Sequence, residues 1–246
     1  MARRDEIVAF ADGLLEVEKW PEFGPAGLQV VGADEVTRIA CGVSASLELF
    51  ERAAETGAEL LVVHHGLFWR SEPLAVDRRL RGRLAALFRA DMTLLAYHLA
   101  LDAHPEVGNN VQLARRLGIE PDRPFAGIGV GGSLSPVPLT ELVERVRSVT
   151  GREPFVFAEG PAEVTRVAVL TGAGGYELIG AGREAYDCLV TGEPEEPSLQ
   201  AARELGISLI AGGHHATERL GVQALAERIG AEFGLPWEFV EVENPV

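Results

Sequence analysis

The run TRIACGVSASLELFERAAETGAELLVVHH, residues 37–65, decides the fold. An apolar strand, TRIACGVS, gives way to a helical pattern near 46–56 and then to a second strand, AELLVVHH. Parallel strands need a connection of a dozen residues or more, and a helix is its usual form. The rhythm continues with a helix near 77–90, the strand TLLAYHL and a helix near 107–117. GIGVGGSLSP and PFVFAEG then flank a helix that Pro138 and Thr140 can open and that runs to about Thr150. VTRVAVLTG, a helix near 175–184, YDCLVTGE, a helix near 196–205 and ISLIAGG repeat the alternation, and PWEFVEV closes the chain as a strand. The expectation is an α/β protein of two packed halves, 1–127 and 128–246, with mainly parallel or mixed sheets covered by helices. The last strand, 236–243, is a candidate to pack back on the first half.

At 246 residues and 47% hydrophobic, the chain has material for a sizeable core. No apolar run approaches the ~20 residues of a membrane span. The N-terminal MARRDEIVAFADGLLEVEKW mixes acids into its apolar part and reads as an amphipathic helix rather than a signal peptide. Cys41 and Cys188 each lie in an apolar strand, the pattern of reduced, buried thiols in a cytoplasmic protein. With 22 basic and 37 acidic residues the net charge is −15, which opposes binding to nucleic acid or anionic lipid outside a local basic patch. One candidate patch exists in DRRLRGRL, with Arg78, Arg79, Arg81 and Arg83, for which the solvated face of a helix is the simpler reading.

The polar residues at the carboxyl ends of strands are where ligands gather in open α/β sheets. All six histidines lie at such ends or just beyond: His64-His65 after LLVV, His98 after LLAY, then His104, and His214-His215 after LIAGG. The stretch LIAGGHHATERLGVQALAERIG, residues 209–230, adds a carboxylate. Its apolar stripe Val222, Leu225, Ala226, Ile229 and Phe233, stepped back by fours, reaches Glu218 and His214. A buried carboxylate is costly unless it is paired or coordinates a metal, and imidazole with carboxylate suits first-row divalent ions. Successive strand residues point to opposite faces, so His64 and His65 are expected to serve two different ions. With Asp102 and Glu218 as carboxylates, a two-metal site with one bridging carboxylate is expected. The turn LTGAGGYE, with Gly172, Gly174 and Gly175, can bring backbone N–H groups near a phosphate, or simply make a tight strand–helix corner.

HHGLFW, YHLALDAHPEVGNN, TGE and GGHHATE, in this order and spacing, resemble the NIF-three family, also called GTP cyclohydrolase type-two homologs. The likeness extends from GLQV at 27–30 to the final helix, with Ala26 where family members often carry Asn. It implies a NIF-three-like fold without the extra central domain of longer members. It also implies that His64 and Asp102 hold one ion and His65 and His214 the other, with Glu218 bridging. A further implication is a toroidal homohexamer with its sites on an internal cavity.

Three functions fit. The first is a metal-dependent hydrolase of a phosphoester or nucleotide-like substrate, carrying two divalent ions per chain (zinc, iron, manganese, nickel or cobalt), with His98 or His104 moving the proton. The second is a ring that binds single-stranded nucleic acid through the arginines of 78–83, with Phe68 and Trp69 as stacking platforms. The third is metal trafficking or sensing. The set lacks a thiolate, which argues against copper(I) but allows iron or zinc. His215 is expected to cap its helix or face the cavity.

Overall fold

The strands at either end of residues 37–65 pair in parallel across a helix, in a computed structural model that describes residues 1–73 and 75–246. In chain order the first elements are β1 (Ala2–Arg3), α1 (Arg4–Leu15), β2 (Gly27–Val30), β3 (Glu35–Val36), β4 (Ile39–Ser44), α2 (Leu47–Glu55), β5 (Leu60–His65), α3 (Arg78–Arg89), β6 (Thr93–Ala96), α4 (Leu99–Asp102) and α5 (Asn109–Leu117). There follow β7 (Glu120–Phe125), β8 (Gly129–Pro138), α6 (Leu139–Thr150), β9 (Phe155–Phe157), β10 (Glu163–Leu170), α7 (Leu178–Arg183), β11 (Cys188–Thr191) and α8 (Ser198–Leu205). The last are β12 (Ser208–Ala211), α9 (His214–Thr217), α10 (Arg219–Phe233) and β13 (Trp237–Phe239). Local chemistry sets several boundaries. Ser46 caps α2 by accepting from Leu49 N at 3.1 Å, and Asp77 caps α3 by accepting from Leu80 N at 2.7 Å. Gly118 and Gly151 end α5 and α6 at φ of 79° and 74°, where a side chain would be strained.

Two units emerge: Met1–Leu101 with Gly221–Glu243, and Asp102–Leu220 with Asn244–Val246. The change of unit at 101/102 precedes the 127/128 boundary expected from the strand rhythm, so Asp102 falls in the second unit rather than the first. The reason is packing: Leu113, Ala114 and Leu117 of α5 join the core that covers β8 and β10.

In the first unit the sheet order is β13-β4-β5-β6-β2, parallel except for β2. Ala40, Leu61, Val63, Leu94 and Ala96 pack on one face with Phe50 and Leu87 from α2 and α3. Val222, Leu225, Ala226 and Ile229 of α10 are fully buried, and Phe233 meets Phe10 of α1 edge to face at 5.6 Å. The closing strand is shorter than PWEFVEV implies and runs parallel to β4.

In the second unit the order is β7-β8-β10-β11-β12-β9, with β10, β11 and β12 parallel and the flanking strands antiparallel. Its parallel strands are buried on both faces, which is why they read as unbroken apolar runs. Val167, Val169, Val190 and Ile210 enter one core; Ala168, Leu170, Leu189, Leu209 and Ala211 enter the other. Among the described residues no helix is long and apolar enough to cross a membrane.

Candidate metal centre

The first unit brings three imidazoles together. β5 and β6 are parallel with Val63 opposite Ala96, so the residues just past the ladder, His65 and His98, continue side by side. One ring nitrogen from each of His64, His65 and His98 lies within 4.8 Å of the other two. The His64 and His65 rings are 4.7 Å apart, so at this strand end they converge instead of taking opposite faces as the alternation predicts. His64 is fully buried, and its Nδ1 lies 2.9 Å from the carbonyl of Tyr97. A carbonyl only accepts, so His64 carries its proton on Nδ1 and keeps the lone pair on Nε2. His65 Nδ1 is 2.9 Å from Ser44 Oγ at the end of β4. Tyr97 is itself fixed, its hydroxyl donating to Asp12 Oδ1 at 2.8 Å.

Glu22 stands behind His98, a residue that sequence reasoning missed. Its carboxylate is buried, accepts from Leu99 N at 3.1 Å and Ala100 N at 2.8 Å at the start of α4, and lies 3.6 Å from His98 Nδ1. Burial pushes this carboxyl up, but the hydrogen bonds and the neighbouring imidazole outweigh it and hold it below the usual carboxylate range. The only sequence signal was an acid in the Pro/Gly-rich loop WPEFGP.

The second unit supplies the carboxylates. The helix expected to carry both His214 and Glu218 is broken: α9 stops at Thr217, Glu218 sits at φ −100°, ψ 3°, and α10 starts at Arg219. The pair is nevertheless made, with His214 Nε2 3.2 Å from Glu218 Oε2. His214 Nδ1 lies 2.9 Å from Glu193 Oε1, so the TGE motif supplies the group that orients this ring. Burial alone would lower the His214 pKa, but Glu218 and Glu193 outweigh it and raise it to about 9. Gly172, at φ +63°, is needed here: a Cβ would fall 2.1 Å from Glu218 Oε1 and 3.2 Å from His214 Nε2. Asp102 is buried, and its Oδ1 accepts from Asn109 Nδ2 at 2.8 Å. Asn110 bonds the Asp102 carbonyl at 3.1 Å and accepts from Thr171 N at 2.7 Å, which accounts for the GNN motif.

The remaining candidates separate. His104 Nδ1 accepts from Glu106 N at 3.2 Å and Val107 N at 3.1 Å, holding the turn into α5 and leaving the proton on Nε2. His215 is buried, and its backbone N–H donates to the Val246 carbonyl at 3.0 Å. In the arginine cluster, Arg79 pairs with Glu72 at 2.8 Å and Arg83 is half-buried, so the basic face is partly neutralised. The glycine-rich turn is a strand-to-helix corner, and the visible requirement for Gly172 is room for Glu218.

These donors fit a borderline divalent ion. Each imidazole of His64, His65 and His214 has its Nδ1 against an oxygen, and the carboxylates of Asp102 and Glu218 are buried.

The motifs that shape these groups can be placed among known proteins. The profile of Duf34/NIF3 (NGG1p interacting factor 3) matches residues 2–245. Proteins named GTP cyclohydrolase 1 type 2 homolog are similar: that of Pseudomonas aeruginosa is 44% identical over 97% of both chains, and that of Escherichia coli K12 is 41% identical over 91% of this chain and 92% of its own. Among solved structures, protein ybgI, of unknown function, matches with a TM-score of 0.96 and 38% identity over the whole of both chains. A Thermus thermophilus protein matches at 0.94 and 36%, again over both full chains. Reduced HcgD from Methanocaldococcus jannaschii, at 0.86 and 22% identity over 98% of both chains, shares the fold. With the profile match running nearly from end to end, and the histidine, Asp-Asn and Glu-bearing motifs lying inside it, this chain belongs to the DUF34/NIF3 family.

Proposed function

We propose that the protein binds two divalent metal ions and hydrolyses a phosphoester or nucleotide-like substrate in the cytoplasm. The observation that carries the reading is the arrangement of the imidazoles. In His64, His65 and His214, Nδ1 is held by a carbonyl, a hydroxyl and a carboxylate respectively, the arrangement that orients histidine for coordination through Nε2. His64 and Asp102 would hold one ion and His65 and His214 the other, with Glu218 shared, following the family resemblance. Two ions so held would supply Lewis acidity, acidifying water and stabilising charge on a departing oxygen.

The chain's own residues do the rest. Glu193 orients His214, Asn109 orients Asp102, and Gly172 leaves room for the Glu218 carboxylate. Proton transfer falls to His98 or to His104, whose Nε2 carries the donor proton. The curated relatives' name points to the opening of a nucleotide ring, which lies within this substrate class. The buried free thiols Cys41 and Cys188 support a reducing compartment. A homohexamer is part of the proposal and is checked by light scattering on the eluted protein.

Elemental mass spectrometry on untagged protein tests the reading. About two ions per chain are expected, reduced by His65→Ala and by Glu218→Ala. A screen of phosphoesters and nucleotides should then show turnover above a His64→Ala control. No metal, and no uptake of zinc, manganese or iron, would end the proposal.

A further inference from the structure

We infer that the second unit holds the ring of the substrate in a groove between α7 and α8, where Tyr176 stacks on a flat amino-substituted heterocycle of the nucleobase class and Glu195 accepts from its N–H groups. This deepens the proposed function by placing one end of the substrate, and it rests on that reading only for sending the other end to the metal ions.

The groove lies beyond the carboxyl ends of β10 and β11, two neighbouring parallel strands, where open α/β sheets gather ligands. Its volume is about 290 Å³, near the lower limit of ~300 Å³ for small-molecule sites, so it fits a ring system and not a whole nucleotide. Tyr176, Leu178, Ile179, Pro197 and Ala201 wall it. Tyr176 and Ile179 keep 60% and 45% of their surface exposed, while α7 turns Leu178 and Ala181 into the core. An exposed aromatic ring beside an aliphatic side chain is a platform for a flat heterocycle, since every base has a face to stack.

The polar lining selects the edge of that ring. Glu195 and Ser198 complete the groove, and among the described residues no basic side chain lines it. An ionised carboxylate only accepts, so it favours N–H donors and repels a phosphate. Glu195 is fixed at both main-chain groups: its N–H donates to Ser198 Oγ at 3.1 Å and its carbonyl accepts from Ser198 N at 3.0 Å. The floor is closed as well, because a Cβ on Gly175 would fall 2.5 Å from the Glu193 carbonyl oxygen and 2.9 Å from Pro194 Cα. The same loop leads to the candidate metal centre. Glu193, whose carboxylate lies 2.9 Å from His214 Nδ1, precedes Glu195 by two residues, a span of no more than about 7 Å of chain. A ring in the groove is thus one short loop from His214, a distance that an attached sugar and phosphate can bridge.

Ligand-observed NMR on the chelator-treated full chain tests ring binding without metal or phosphate. The probes are two matched pairs, adenosine with purine riboside and guanosine with inosine, whose members differ only by an exocyclic amine. The amino member of at least one pair should bind about fivefold tighter, and Glu195→Ala should remove that preference. Tyr176→Ala should raise its Kd at least about fivefold, and Tyr176→Phe should leave it within about twofold, because the ring and not the hydroxyl stacks. Both side chains are exposed, and circular dichroism checks that the variants fold. The inference is overturned if no nucleoside binds at millimolar concentration, if binding ignores Tyr176→Ala, or if neither pair shows a preference that Glu195→Ala removes. Absence of nucleoside binding in a protein that does take up metal removes the groove and leaves the two-ion reading standing. Nucleosides bound by a protein that takes up no metal keep the groove and end the hydrolase reading. A change of oligomeric state on Tyr176→Ala, without nucleoside binding, would overturn the inference by making the groove a seat for a second copy of the chain.

Discussion

Two corners of the molecule carry the same residues and do the same job. EVTRIA at 35–40 and EVTRVA at 163–168 each lead into the first strand of a parallel trio. Glu59 accepts from Thr37 N, Thr37 Oγ1 and Arg38 N; Asp187 accepts from Thr165 N, Thr165 Oγ1 and Arg166 N. The registers agree as well: Ile39–Leu60–Thr93 lie abreast in one unit and Val167–Cys188–Ser208 in the other. Even the third strand is tied alike, Thr93 Oγ1 accepting from Gly32 N and Ser208 Oγ from Gly160 N. The frames match, and the strand ends do not. Counting along the matched registers, His65 corresponds to Glu193, His98 to Gly213 and Ser44 to Gly172. At these matched strand ends the first frame presents two imidazoles and a hydroxyl, and the second a carboxylate and two glycines. The strand amino ends conserve geometry between the units while the carboxyl ends carry the chemistry, as expected of open α/β sheets.

The sharpest way to break this comparison is at Ser44 and Gly172. Gly172→Ala should cost about 2–3 kcal/mol, because the new Cβ meets a buried carboxylate at a left-handed position. Ser44→Ala should cost only about 1 kcal/mol, the value of one hydrogen bond. Urea unfolding of the two variants measures this, and equal losses would remove the distinction between the two strand ends. Next come the corners. Asp187→Ala and Glu59→Ala should each lose about 1–2 kcal/mol and differ by less than about 0.5 kcal/mol. A large inequality would show that the two corners are alike only in sequence.

A smaller effect is expected on metal affinity. Glu193→Gln should raise the Kd of the ion bound by His214 about tenfold with little change in Tm, as loss of an orienting carboxylate does. Competition with a chelator reads it. Smallest is a pH effect at Glu59. Burial pushes this carboxyl up, but the bonds from Thr37 and Arg38 outweigh it and hold it below its ordinary 4.5. A lowered folded pKa means stability that is present above the ordinary value and is lost as pH falls through the folded one. Glu59 is only partly buried, so the contribution is discounted for solvent screening to below about 1 kcal/mol. Urea midpoints of Glu59→Gln and the unaltered protein should differ at neutral pH and converge near pH ~3; a constant gap would show that the carboxylate charge is not what holds the corner.

Legibility in the sequence followed the range of the forces involved. The alternation of strand and helix could be read because a parallel strand buried on both faces needs an unbroken apolar run, as in LLVV and CLV. The N-terminal helix could be read because Ile7, Ala11 and Leu15 recur on one face and are buried together. The break at Glu218 could not, since His214 and Glu218 have the spacing of one continuous helix and only the surrounding chain ends it at Thr217. Nor could the unit to which Asp102 belongs, because that depends on where α5 packs.

What the sequence determined by itself was the periodicity and the concentration of histidines and acids after apolar strands. These are properties of neighbours along the chain, fixed by backbone geometry and local hydrogen bonds. Only the tertiary structure decided that Glu22 stands behind His98, that the Tyr97 carbonyl sets the His64 tautomer, and that Gly172 makes room for Glu218. Each of these joins residues separated by 33 to 76 positions, or depends on the course of the backbone between them, and a hydrogen bond carries no trace in sequence of the partner that completes it.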